Sequence, residues 1–182
     1  MGLKEYFLVK FEALHGALRD NTADLTDDQW HEVPGGHARA NTIAWNMWHF
    51  HWSEDSIVHA LLQKRAPLWA EGWAERLRLK PFVPGETIST EEAQSLRIED
   101  PDDFRRYMEA VWQATERYVT DADESSWEEL ISVTGRSMRV YTLLGQIVGS
   151  HGYRHIGELD LARTFLGLPW QPGWEWEPNV DR

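Results

Sequence analysis

Two histidines stand four residues apart in GSHGYRHIGELDLARTFLGL, residues 149–168. They are His151 and His155. On a helix, residues at that spacing share a face, with Cβ atoms about 5–6 Å apart. Two imidazoles so placed can bind one metal ion. Two ligands are rarely enough, and a third must come from another element facing the same interior. The stretch ANTIAWNMWHFHWSEDSIVHALL, residues 40–62, offers one. Wound at about 100° per residue, it puts His49 on a stripe with Thr42, Trp45, Trp52, Ser53, Ser56 and Ala60. His51 lies nearly opposite, with Ala44, Met47 and Val58, so only one of the two can face a given site. The small residues around His49 leave room for a ligand and favour it. His59 falls near the edge of the same face, almost three turns on, and Asp55 lies off it. Glu158 stands one turn beyond His155, where it can orient an imidazole or serve as a base. Imidazole ligands suit zinc or nickel first, with iron and manganese also open.

Each of these residues has a plainer reading. An H-x-x-x-H pair alone is more often two hydrogen-bonded or surface histidines. A lone His49 reads as a core histidine bonded to a carbonyl, and a lone Glu158 as a solvated helix residue. Together the trio is more pointed, because all three interrupt apolar stripes on two helices. Buried imidazoles need partners, and one shared ion satisfies several.

The elements that must position them follow from periodicity and punctuation. Apolar residues from Leu3 to Leu18 repeat at helical spacing, predicting a first helix over 3–19. Thr26, with Leu25 before it, opens a short turn of helix ending at His31. Pro34, Gly35 and Gly36 make a loop. Asn41 or Thr42 caps a second long helix reaching about Lys64. Residues 67–95 are irregular and form a long crossover, with a short helix around 68–77. Asp100 caps a third long helix, with Pro101 at its first position, running to about Thr120. Gly135 divides two short extended pieces. A fourth long helix spans about 140–166 and stops at Gly167 and Pro169. Four long helices with one long crossover between the second and third predict an all-α four-helix bundle, in a single domain over residues 1–182. Trp170, Trp174 and Trp176 follow in an irregular tail, placed to cover the site or a dimer seam.

Composition narrows the partners. Acidic residues outnumber basic ones by 30 to 18, a formal net charge of −12. Such a surface repels phosphate backbones, which argues against nucleic acid. The chain has no cysteine, which removes disulfides, thiolate metal sites and internal thiol nucleophiles. No apolar run approaches a membrane span, and the first residues lack a signal-peptide core. A cytoplasmic protein without a membrane partner is the expectation.

Two motifs resemble the DinB superfamily of DinB/YfiT-like proteins. One is NTIAWNMWHFHWSED, residues 41–55, similar to that family's second-helix pattern of an aromatic–His pair followed by an acidic pair. The other is HGYRHIGEL, residues 151–159, similar to its fourth-helix H-x-x-x-H motif. The resemblance implies a four-helix bundle in up-down-down-up order and a divalent metal on three histidines, which correspond to His49, His151 and His155. It also implies a homodimer. His51 has no counterpart in the pattern, and the family often has Gln where this chain has Glu158. Two chemistries follow from the resemblance: metal-assisted hydrolysis, or transfer using a low-molecular-weight thiol as cosubstrate. The competing expectation is a non-catalytic helical bundle that binds a small ligand or a protein through its tryptophan-rich surface.

Overall fold

Two of the long helices start where a side chain accepts from a backbone amide that lacks a helical partner. The computed structural model describes residues 2–80, 88–133, 135–169 and 171. Over these residues the protein is mostly helical, with one small hairpin. Helix α1 spans Leu3–Ala23. The short α2, Asp27–His31, carries a full capping box between Thr26 and Gln29. Thr42 caps α3, Ile43–Asp55, by accepting from the Trp45 amide. The helix then widens into a π-helical segment, Ser56–Leu62. Two short helices, α4 at Trp73–Leu77 and α5 at Thr90–Ser95, lie in the crossover. Asp100 caps α6, Pro101–Asp121, with Pro101 in its first turn. Strands β1, Leu130–Val133, and β2, Arg136–Arg139, pair antiparallel around Gly135, whose φ of 80° suits glycine. A short α7, Val140–Leu143, runs into a second π-helical segment, Leu144–Ser150, and then α8, His151–Phe165.

The four longest elements pack in a ring. Helix α1 lies against α6 and α8, and α3 lies against the same two. Phe11, Leu14, Met47, Phe50, Phe104, Val111, Leu144 and Val148 meet inside and are fully or almost fully buried. Closeness at one point depends on glycine. A Cβ on Gly152 would sit 2.6 Å from Leu14 Cδ2 and 2.8 Å from Phe50 Cζ. Its bare backbone therefore lets α8 press into the angle between α1 and α3.

Three features depart from the expectation. Helix α1 continues past Arg19 to Ala23, and within the added turn Asn21 and Thr22 bond back to the Ala17 and Leu18 carbonyls. The two π-helical segments rotate the residues beyond them away from an ideal α-helical wheel. His59, expected at the edge of the His49 face, lies inside the first of these segments and is fully buried and paired with Asp55. Phe165, expected on the apolar stripe of the last helix, is exposed. The crossover holds α5 as well as α4, and the hairpin supplies real strands. Trp174 and Trp176 in the tail, with Trp170, lie outside the described residues. No described helix is long and apolar enough to cross a membrane.

Candidate metal centre

Helix α3 carries His49 into the gap beside α8, where Gly152 lets the two helices approach. The ring centroids of His49, His151 and His155 lie 4.6–5.6 Å apart. One ligand nitrogen from each ring lies within 4.8 Å of the other two. Nε2 of His151 and Nε2 of His155 are 2.9 Å apart. Zinc–nitrogen bonds of about 2.0–2.1 Å would place tetrahedral ligand atoms roughly 3.4 Å from one another. The cluster brackets that separation, so small side-chain movements fit it to one ion.

Protonation favours ligation. Burial pushes the His49 imidazole down to about 4, with His155 and Arg154 adding to the shift against the pull of Glu158. Burial, then His155, His49 and Arg154, lower His151 to about 4 as well. Both rings are neutral near pH 7 and keep a lone pair to give. His155 Nδ1 lies 2.8 Å from Glu158 Oε2. A proton held on Nδ1 by that carboxylate leaves Nε2 as the ligand atom, which is the nitrogen facing His151. The His155 hydrogen bond in turn holds Glu158 below the usual carboxylate range. Walls of different kinds enclose the trio. Phe50 packs edge-on against His151 and tilted against His155, and Trp45 stacks on His49 at 5.9 Å between centroids.

The structure also separates the neighbouring candidates. His51 has both nitrogens committed: Nδ1 donates to the Met47 carbonyl at 2.6 Å, and Nε2 accepts from the Trp112 indole at 2.9 Å. It has no lone pair left for an ion. The Asp55 carboxylate accepts from the Leu68 and Trp69 amides and the Tyr107 hydroxyl, and ties the crossover to α3. Ser53 donates to the His49 carbonyl at 2.7 Å, so it braces the helix backbone.

A buried cluster beside the site escaped the sequence reading. His15 lies 2.7 Å from Glu116 and 3.1 Å from Glu54, and Thr115 donates to Glu54 at 2.6 Å. Burial works against the charged His15 ring, but the two carboxylates outweigh it and hold its pKa above the ordinary value. Burial likewise opposes the Glu54 charge, and His15 with Thr115 and His51 overcomes it, leaving Glu54 below the usual range. The signal was present in the sequence. Glu54 falls at helical spacing from Met47 and His51, and His15 follows Phe11 by four.

Two clefts of about 450 Å³ lie near the trio, one reaching His151 itself and the other reaching Glu158, the hydrogen-bond partner of His155. One is lined by His151, Arg154, Gln146, Ile147 and Ser150. The other includes Glu158, Asn46 and Arg39.

A mostly helical protein with three converging imidazoles beside two clefts belongs to the class of proteins able to hold a metal on histidines alone. The DinB superfamily model matches residues 10–159, most of the sequence, and the chain belongs to that family. A conserved protein from Enterococcus faecalis has a similar crystal structure. The TM-score is 0.78 at 19% identity, covering 92% of this chain and 99% of that one, which shows a shared fold. No curated protein matches the sequence.

Proposed function

We propose that this protein is a metal-dependent enzyme, with one divalent ion held by His49, His151 and His155, and that it transfers a group between an external low-molecular-weight thiol and a second small molecule. The convergence of three ligand nitrogens within 4.8 Å carries the metal reading. Three protein ligands leave a position open, which favours catalysis over a purely structural role. A zinc or nickel ion bound there would stabilise the anionic form of a thiol or water at neutral pH.

The chain's own residues supply the rest. Glu158 fixes the tautomer and tilt of His155 and is a positioning residue. Phe50 and Trp45 exclude water from one side. The two clefts give separate approaches to the trio, one past His151 and one past Glu158. Two approaches favour a reaction between two molecules, and the missing cysteine fits a thiol brought from outside. Hydrolysis of an ester or amide is the alternative, with water as the second molecule. In this reading the four long helices form a bundle in up-down-down-up order, assembled as a cytoplasmic homodimer.

The test pairs two assays on zinc- or nickel-loaded protein. Conjugation of bacillithiol or mycothiol to monochlorobimane is followed beside hydrolysis of p-nitrophenyl acetate. Conjugation that disappears in His151→Ala is the expected result. Ester hydrolysis alone would move the assignment to a hydrolase. Bound metal with neither activity would favour a non-catalytic bundle.

A further inference from the structure

The cleft beside Glu158 holds features that ligation of an ion does not use. Asn46 stands one turn before His49 on α3 and lines this cleft. It is 4% exposed, and its Oδ1 has no hydrogen-bond partner among the described residues. A buried amide oxygen without a partner costs free energy comparable to a lost hydrogen bond. Asn46 thus lines the cleft with an amide whose oxygen is turned inward and unsatisfied, and rotation of that amide would present Oδ1 to a donor in the cleft.

Arg39 lines the same cleft. In a chain of net charge −12, its guanidinium makes no ion pair among the described residues. Its backbone amide donates to His37 Nδ1, which shapes the loop that carries it. Asn41 adds a second amide just before the Thr42 cap. The N-terminus of α3 thus opens near the cleft, and its unpaired amides and dipole favour negative charge. Leu161 and Phe165 present apolar surface on the α8 side. Both are more than half exposed and stand one turn apart, so together they give the cleft an apolar rim.

We propose that this cleft is the acceptor-substrate subsite of the metal centre, and that it takes a small molecule with a carboxylate beside an N–H donor and an apolar arm. Arg39 receives the carboxylate, and the Asn46 amide, turned over to present Oδ1, accepts from the N–H. The arm lies on Leu161 and Phe165. Glu158 joins the subsite to the trio, since it lines the cleft and bonds His155. The chemistry is that of an N-acylated amino acid or a peptide C-terminus. This inference rests on the metal reading only for what happens after binding.

Isothermal titration of the full chain with N-acetyl-L-phenylalanine tests it, with zinc loaded and again without metal. Wild type binds, and Arg39→Gln weakens binding by about tenfold or more, as loss of a charge-assisted contact requires. Arg117→Gln, an equal charge change on the exposed side of α6, leaves affinity unchanged. Replacing the acid by N-acetyl-L-phenylalaninamide costs wild type the same factor and costs Arg39→Gln nothing further. Replacing it by 3-phenylpropionate, which lacks the N–H, weakens wild type but not Asn46→Leu. Absence of binding, or equal binding by wild type and Arg39→Gln, would overturn the subsite while leaving a metal-loaded trio standing. Arg39-dependent binding by a chain that takes up no metal would keep the subsite and remove the metalloenzyme reading.

Discussion

His155 is held at both ring nitrogens. Glu158 sits on Nδ1 at 2.8 Å, and Nε2 looks toward His151 at 2.9 Å. An imidazole so oriented is a better ligand than one free to rotate, because the carboxylate fixes the tautomer and raises basicity at the far nitrogen. Glu158→Gln keeps the size and removes the charge. It should weaken zinc affinity by about 10–100-fold with little change in thermal stability, checked by competition with a chromogenic chelator. Equal affinity would show Glu158 to be an ordinary half-exposed helix residue. The same logic explains why His51, two residues from a ligand, plays a different part. Its neighbours Met47 and Trp112 use up both nitrogens, so it serves the core.

At the scale of elements, the site depends on how closely α8 can approach α1 and α3. Gly152 permits that approach. Gly152→Ala places a methyl against Leu14 and Phe50 and should destabilise by about 1–3 kcal/mol. Gly157, on the same helix, has nothing within 4 Å of a Cβ added to it. Gly157→Ala should stabilise by about 0.5–1 kcal/mol through helix propensity alone. Thermal melts of the two variants should move in opposite directions, and parallel shifts would contradict the packing account. Much of this was readable beforehand. Thr42, Asp100 and Gly135 mark their boundaries by local chemistry, and local chemistry survives folding. The spacing of His151 and His155 lies within one regular helix and was also legible. One failure was an inference carried into a π-helical segment, where the wheel loses register and His59 turns inward. The other lay within the regular α8: Phe165, ten residues past His155, stands about 80° round from it and is exposed. The His15–Glu54–Glu116 cluster was hidden for another reason. Its members come from three helices, and no single periodicity joins them.

The whole molecule carries a strongly acidic surface around a core that itself holds charge. His15 has its folded pKa raised above 6.5, so its contribution is complete below that value and fades as pH climbs through the raised one. Glu54 has its folded pKa lowered below 4.5, so its contribution is present above 4.5 and fades as pH falls through the lowered one. The cluster therefore stabilises most between about pH 4.5 and 6.5. Urea midpoints should decline on the alkaline side of that window, and His15→Gln should flatten the decline. A wild-type curve no steeper than the variant's would contradict this. The central claim concerns the trio that the whole fold assembles, and metal content tests it most directly. The measurement is elemental analysis of the protein purified without a histidine tag, beside His155→Ala. About one zinc or nickel per chain, lost in the variant, is the predicted result. No metal in either protein after incubation with zinc, nickel, manganese or ferrous iron would contradict the account.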